Sequence, residues 1–142
     1  MPDFDSSVFK LAPVAMWIED FSAVKALFDD WRSEGVTDLR AHLKADMSRV
    51  AACSSRIKVV GVNDKTLELF EADDFNHLVQ NLSMVFRGDM LESHINELAA
   101  LWDGETGFSS KAVNYSLSGR RMDIQLNATV MPGHEDDLSR IM

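Results

Sequence analysis

The chain has 142 residues, 46% of them apolar, and a single cysteine, so it can bury one hydrophobic core and cannot form an intramolecular disulfide. Its 23 acidic and 14 basic residues give a net charge of −9, spread from Asp3 to Asp137, which opposes binding to nucleic-acid phosphates or to anionic lipid. No apolar run reaches bilayer-spanning length and no secretory signal opens the chain, so a cytoplasmic setting is expected.

Residues 1–12 read as an N-terminal helical extension. Residues 1–5 are expected to fray, and Ser6 or Ser7 caps a short helix through Val8, Phe9 and Leu11 that Pro13 ends. Residues 14–18, with Trp17 and Ile18, predict a first strand. Ser22 is then the expected cap of an amphipathic helix carrying Val24, Leu27, Phe28 and Trp31, closed by Gly35. Thr37 or Asp38 starts a further helical stretch with Leu39, Leu43, Met47 and Val50, broken near Asp46.

Residues 57–62 are a β-branched strand that runs into Asn63-Asp64, a strong N-cap followed by Leu67 and Phe70 on one helical face. Asp73 or Asp74 caps another short helix with Phe75, Leu78 and Val79. Beyond Met84, Val85, Phe86 and a break at Gly88-Asp89, an amphipathic helix from Leu91 to Trp102 carries Leu91, Ile95, Leu98 and Trp102 and stops at Gly104.

Two long alternating strands follow, joined at Ser118-Gly119. On the second, Met122, Ile124, Leu126, Ala128 and Val130 face one way, while Arg121, Asp123, Gln125, Asn127 and Thr129 face the other. One face is wet and the other needs a cover, which the helices supply, so the fold class is α+β with a helix-sheet space suited to a ligand. Pro132-Gly133 makes a turn, and residues 138–142 read as the opening of a strand expected to continue past Met142 into a helical linker.

This order of elements resembles the PAS sensor domains of bacterial signalling proteins, in the subgroup with an extra helical pair after the first strand. The likeness is carried by Met16-Trp17-Ile18-Glu19-Asp20-Phe21-Ser22, by Val59-Val60-Gly61-Val62-Asn63 entering a helix with Leu67-Glu68-Leu69-Phe70, and by Pro132-Gly133-His134-Glu135. It implies a PAS domain over residues 13–142, with a five-stranded antiparallel sheet covered on one face by helices and an inserted N-terminal helical pair. The first strand and the segment from Leu138 would pair in the middle of that sheet.

The pocket walls implied are Trp17, Val60, Phe70, Leu78, Phe86, Leu91, Ile95, Leu98, Val113, Tyr115, Ile124 and Leu126, with ordinary core packing as the simpler reading of each. Period 2 groups Tyr115 with Val113 and Leu117, which makes Tyr115 the expected polar contact. The resemblance also implies a sensor of a small-molecule or other cytoplasmic cue that regulates an attached C-terminal output domain. A two-component histidine kinase is the first choice of output and a diguanylate cyclase or phosphodiesterase the second. A ligand-free module for dimerisation and protein interaction, pairing through Phe9 and Leu11 or through the Val24, Leu27, Phe28, Trp31 stripe, is the alternative from another class.

No catalytic signature is present: there is no phosphate-binding glycine loop, no His-Glu-x-x-His and no nucleophile elbow, so this segment is not expected to be an enzyme. No cofactor is expected either. Haem-binding PAS domains take an iron ligand from the helix that here holds His94, yet helical spacing puts His94 at the surface or boundary. Flavin photosensors need a cysteine after the position of Asn63, where Asp64-Lys65-Thr66 stands, and Cys53 reads as a small buried hydrophobe. His134, Glu135, Asp136 and Asp137 are consecutive in a loop, which suits a solvated turn better than a metal site. A homodimer is expected; nucleic acid and direct membrane contact are not.

Overall fold

The computed structural model describes residues 6–142. Residues 1–5, expected to fray, lie outside them. The chain runs α1 (Ser6–Leu11), β1 (Trp17–Asp20), α2 (Ser22–Ser33), α3 (Leu39–Ala45), α4 (Ser48–Ser54), β2 (Lys58–Val62), α5 (Asp64–Leu69), α6 (Phe75–Val79) and α7 (Leu82–Val85). A turn of 3-10 helix (Gly88–Met90) leads into α8 (Leu91–Trp102), followed by β3 (Gly107–Tyr115) and β4 (Arg121–Thr129). No helix among the described residues is long and apolar enough to cross a membrane.

The local signals act where the residue chemistry is strongest. The side chains of Asp38, Asn63 and Asp74 accept from Ala41, Thr66 and His77 backbone N–H groups, satisfying donors that the first helical turn leaves open. Ser22 is not the cap of α2: the Asp20 carboxylate, two residues earlier, accepts its N–H at 2.8 Å. α8 ends as its sequence predicts. Gly104 adopts φ +84°, so the N–H groups of Gly104 and Glu105 turn back onto the carbonyls of Leu101 and Ala100 at 3.1 and 3.0 Å.

The class is α+β, but the expected five-stranded sheet is not formed. Among the described residues there are two two-stranded antiparallel sheets, β1–β2 and β3–β4. The expected final strand is reduced to isolated bridges in which Ile141 faces Glu19 on one side and Val130 on the other. The reason is local. Leu138 sits at φ +57°, and the Asp137 carboxylate accepts from Ser139 N and Oγ at 2.9 and 2.7 Å, so the first half of residues 138–142 is a turn. The insert between β1 and β2 also differs from a helical pair, because Asp46 splits its second half into α3 and α4.

Two apolar clusters hold these pieces. The larger joins α2, α3, α4 and α8 through Val24, Phe28, Leu43, Cys53, Leu98 and Trp102, and it reaches Val130, Leu138 and Ile141. The smaller gathers Phe70, Leu78, Val85 and Met122, with Trp17, Val62 and Ile124 packed against them. Asn63, 1% exposed, ties the segment before β1 to the end of β2: it donates to Val14 O (2.8 Å), accepts from Met16 N (3.0 Å) and caps α5 at once.

These placements set the cost of removing each group. Leu98→Ala, at a fully buried site, should lower unfolding free energy by about 2–5 kcal/mol. Asn63→Ala, which loses a cap and strands buried partners, should cost about 2–4 kcal/mol. Urea denaturation checks both, and a wild-type midpoint for either variant would contradict the packing.

Candidate functional site

Glu19 of β1 and Glu97 of α8 are two half-buried carboxyl groups close enough to influence each other. Glu19 stands on β1 between Trp17, which packs on the smaller cluster, and Phe21, which belongs to the larger. Its backbone is held by Ile141, Glu19 N donating to Ile141 O at 2.8 Å and Ile141 N to Glu19 O at 2.9 Å. Glu97 comes from α8, its side chain only 12% exposed, and its Oε1 is buried with no hydrogen-bond partner. One turn earlier on α8, His94 places Nδ1 3.6 Å from Glu97 Oε2 and hydrogen-bonds Ser54 Oγ through Nε2 at 2.8 Å.

A carboxyl group drawn out of water and set near a second one is harder to ionise. Burial first, and the charge of Glu97 second, together push the Glu19 carboxyl from 4.5 up to about 7. Part of Glu19 still meets solvent, although protein crowds its carboxyl. Among the described residues no set of three His, Cys, Asp or Glu side chains converges on a metal position. The arrangement holds a proton or receives a hydrogen-bond donor, and nothing in it resembles a nucleophile with its base.

The twelve predicted wall residues do not share one cavity. Trp17, Phe70, Leu78 and Ile124 meet in the smaller cluster, where the Trp17 ring stands edge-on to Phe70 at 5.4 Å and tilted to Phe86 at 5.6 Å. Ile95 and Leu98 belong to the larger cluster. Val60, Phe86 and Leu91 are 38%, 37% and 39% exposed, so they carry little of either core. Val60 is outside because β2 bulges there: Ile18 pairs with Gly61 and Glu19 with Val59, leaving Val60 as the extra residue.

Leu126 is half-buried on the inner face of β4. Val113 and Tyr115 take the opposite face from the one expected. In the ladder Ala112 opposes Ile124 and Asn114 opposes Met122, so the even residues of β3 share the apolar face of β4. The inward polar residue is therefore Asn114, 3% exposed, which donates to Met90 Sδ and to Val113 O. Tyr115 instead lies under the Arg87 guanidinium, 4.0 Å from its ring centre.

His94 is a boundary residue, with 15% of its side chain exposed. Cys53 is fully buried, and burial pushes its thiol up to about 11. In the loop after Pro132-Gly133, Glu135 accepts Gly133 N at 2.7 Å and His134 meets Ser139 Oγ at 2.6 Å, so these side chains stabilise the turn.

Glu19 and Glu97 escaped the sequence reading. The available signal was a glutamate between two aromatics, Trp17 and Phe21, at strand spacing, a position where a charge is costly unless it has a use. A comparison with known protein families and with curated proteins finds no match to this chain.

The acidic pair gives a pH signature. Glu19 is raised from 4.5 to about 7 in the folded state, so the stability tied to its proton is present below about pH 4.5 and is lost as pH rises through 7. The loss is at most about 3 kcal/mol, a ceiling because Glu19 keeps some solvent contact. His42, lowered chiefly by burial, works in the opposite direction and loses stability as pH falls below 6.5. The comparison that isolates Glu19 is therefore thermal melting of wild type and Glu19→Gln between pH 5 and 8. The wild type should lose more stability than the variant as pH rises, and parallel curves would contradict the assignment.

Proposed function

We propose that this chain is a sensory domain that responds to a small-molecule or other cytoplasmic cue and regulates an attached output domain, in the first instance a two-component histidine kinase. The observation that carries this reading is the position of Glu19. Its side chain lies in the half-buried acidic pair, while its main chain exchanges two hydrogen bonds with Ile141, so a change of charge or ligand at the pair bears directly on residues 138–142. Glu97 Oε1, buried and unpartnered, supplies an acceptor for an incoming donor. The likeness of residues 16–22, 59–70 and 132–135 to PAS sensors supports the functional part of the reading, although its five-stranded sheet is absent. A cyclic-dinucleotide enzyme as output would use the same coupling.

A homodimer is the working assembly in this reading. The α2 stripe is not its interface, because Val24, Phe28 and Trp31 are buried within the chain. Val8 and Leu11 of α1, 65% and 72% exposed, favour the second reading, in which the domain pairs with a copy of itself and binds no ligand. Native mass spectrometry of protein incubated with a metabolite extract, followed by amide NMR, separates the two. The sensor reading expects an added mass and a shift of the Glu19 and Ile141 amides that Glu97→Gln weakens at least tenfold. An empty dimer with both amides unmoved would overturn it.

A further inference from the structure

We propose that the free edge of β3 docks an extended, acidic segment of a partner protein, which joins the β3–β4 sheet as an added strand. The ladder fixes which groups face outward. Val130 N donates to Thr106 O at 2.8 Å at one end and Ser116 N to Arg120 O at 2.9 Å at the other, so the even residues between them point their backbone groups at β4. The N–H and C=O of Gly107, Ser109 and Lys111, with the N–H of Val113, point the other way, and β3 has no strand neighbour on that side among the described residues. This edge is regular and runs for about 20 Å at strand rise. The edge of β2 is five residues long and broken by the Val60 bulge, so it offers a poorer template.

An open groove of about 840 Å³ takes in residues 109–113 of this edge strand, bounded by Glu92 and Asn96 of α8 on one side and by Asp123 and Gln125 of β4 on the other. Ser93 Oγ and Ser110 Oγ, 3.1 Å apart, hold helix and strand together at its base. An occupant must be an extended polypeptide, because only a backbone matches alternating donors and acceptors. Its charge follows from the rim. Glu92 is paired with Lys44 at 3.5 Å and Asp123 with Arg121 at 3.1 Å, which leaves Lys111 as the groove charge without a counterion among the described residues. A second copy of β3 centred on this edge would set Lys111 against Lys111, which disfavours self-pairing. A carboxylate on the incoming strand opposite Lys111 completes the site.

The probes are two capped heptapeptides of alternating Thr and Val, one with a central Glu and one with a central Lys, titrated into the isotope-labelled protein at about 0.02 M salt, where screening is weak. The Glu peptide should shift the amides of Ser109, Lys111 and Val113 and bind at least tenfold tighter than the Lys peptide. Lys111→Glu, an exposed change that should leave the melting temperature within error, should reverse that order. Equal binding of the two peptides, absence of binding, shifts confined to β2, or concentration-dependent β3 shifts without peptide would each overturn the proposal.

Discussion

Ile141 is hydrogen-bonded to the β1–β2 pair through Glu19, and the next residue, Met142, exchanges bonds of 2.8 and 2.9 Å with Thr129 at the end of the β3–β4 hairpin. With the bonds from Phe21 N to Leu138 O and from Met131 N to Arg140 O, these backbone bonds make residues 138–142 a lateral link between the two sheets. The Ile141 side chain, 6% exposed, adds to the same junction by entering the larger apolar cluster beside Val130 and Leu138. A link of this size, a few bonds each with a net worth of about 1 kcal/mol, is strong enough to fix geometry and weak enough to be shifted by local chemistry.

That weakness gives the acidic pair its leverage. A carboxyl group inside a fold is tolerated either neutral or matched, and Glu19 is poised between these states near neutral pH. The charge that acts on it is Glu97 from α8, and His94 links that helix to Ser54 at the end of α4. The helical insert, the long helix and β1 therefore contribute to one electrostatic balance, which sits next to the backbone junction at Ile141.

How much of this was legible in the sequence depended on range. Helix caps at Asp38, Asn63 and Asp74, the bounds of α8 and the alternation of β4 follow from interactions within a few residues, and these appear as expected. What depends on register does not show locally. One residue of offset decides that Asn114 rather than Tyr115 points inward, and one extra residue at Val60 turns a wall position outward. The final strand failed for a different reason: a left-handed Leu138 and the Asp137–Ser139 turn compete with extension, although the apolar pattern of residues 138–142 suits a strand. Of the acidic pair, the sequence showed two ordinary glutamates, because their meeting joins positions 19 and 97 through tertiary packing alone.

Cys53 turns the helical insert into a region whose opening can be timed. It is the single thiol of the chain, it has no exposed surface, and its raised pKa keeps it protonated and inert while the insert is closed. Alkylation must then wait for α4 to lift from Val24, Phe28 and Leu43, so the labelling rate reports the excursions of this unit separately from those of the two sheets. The molecule thus carries a native clock on one side of its acidic pair, which distinguishes loosening of the insert from loosening of the β1–Ile141 junction.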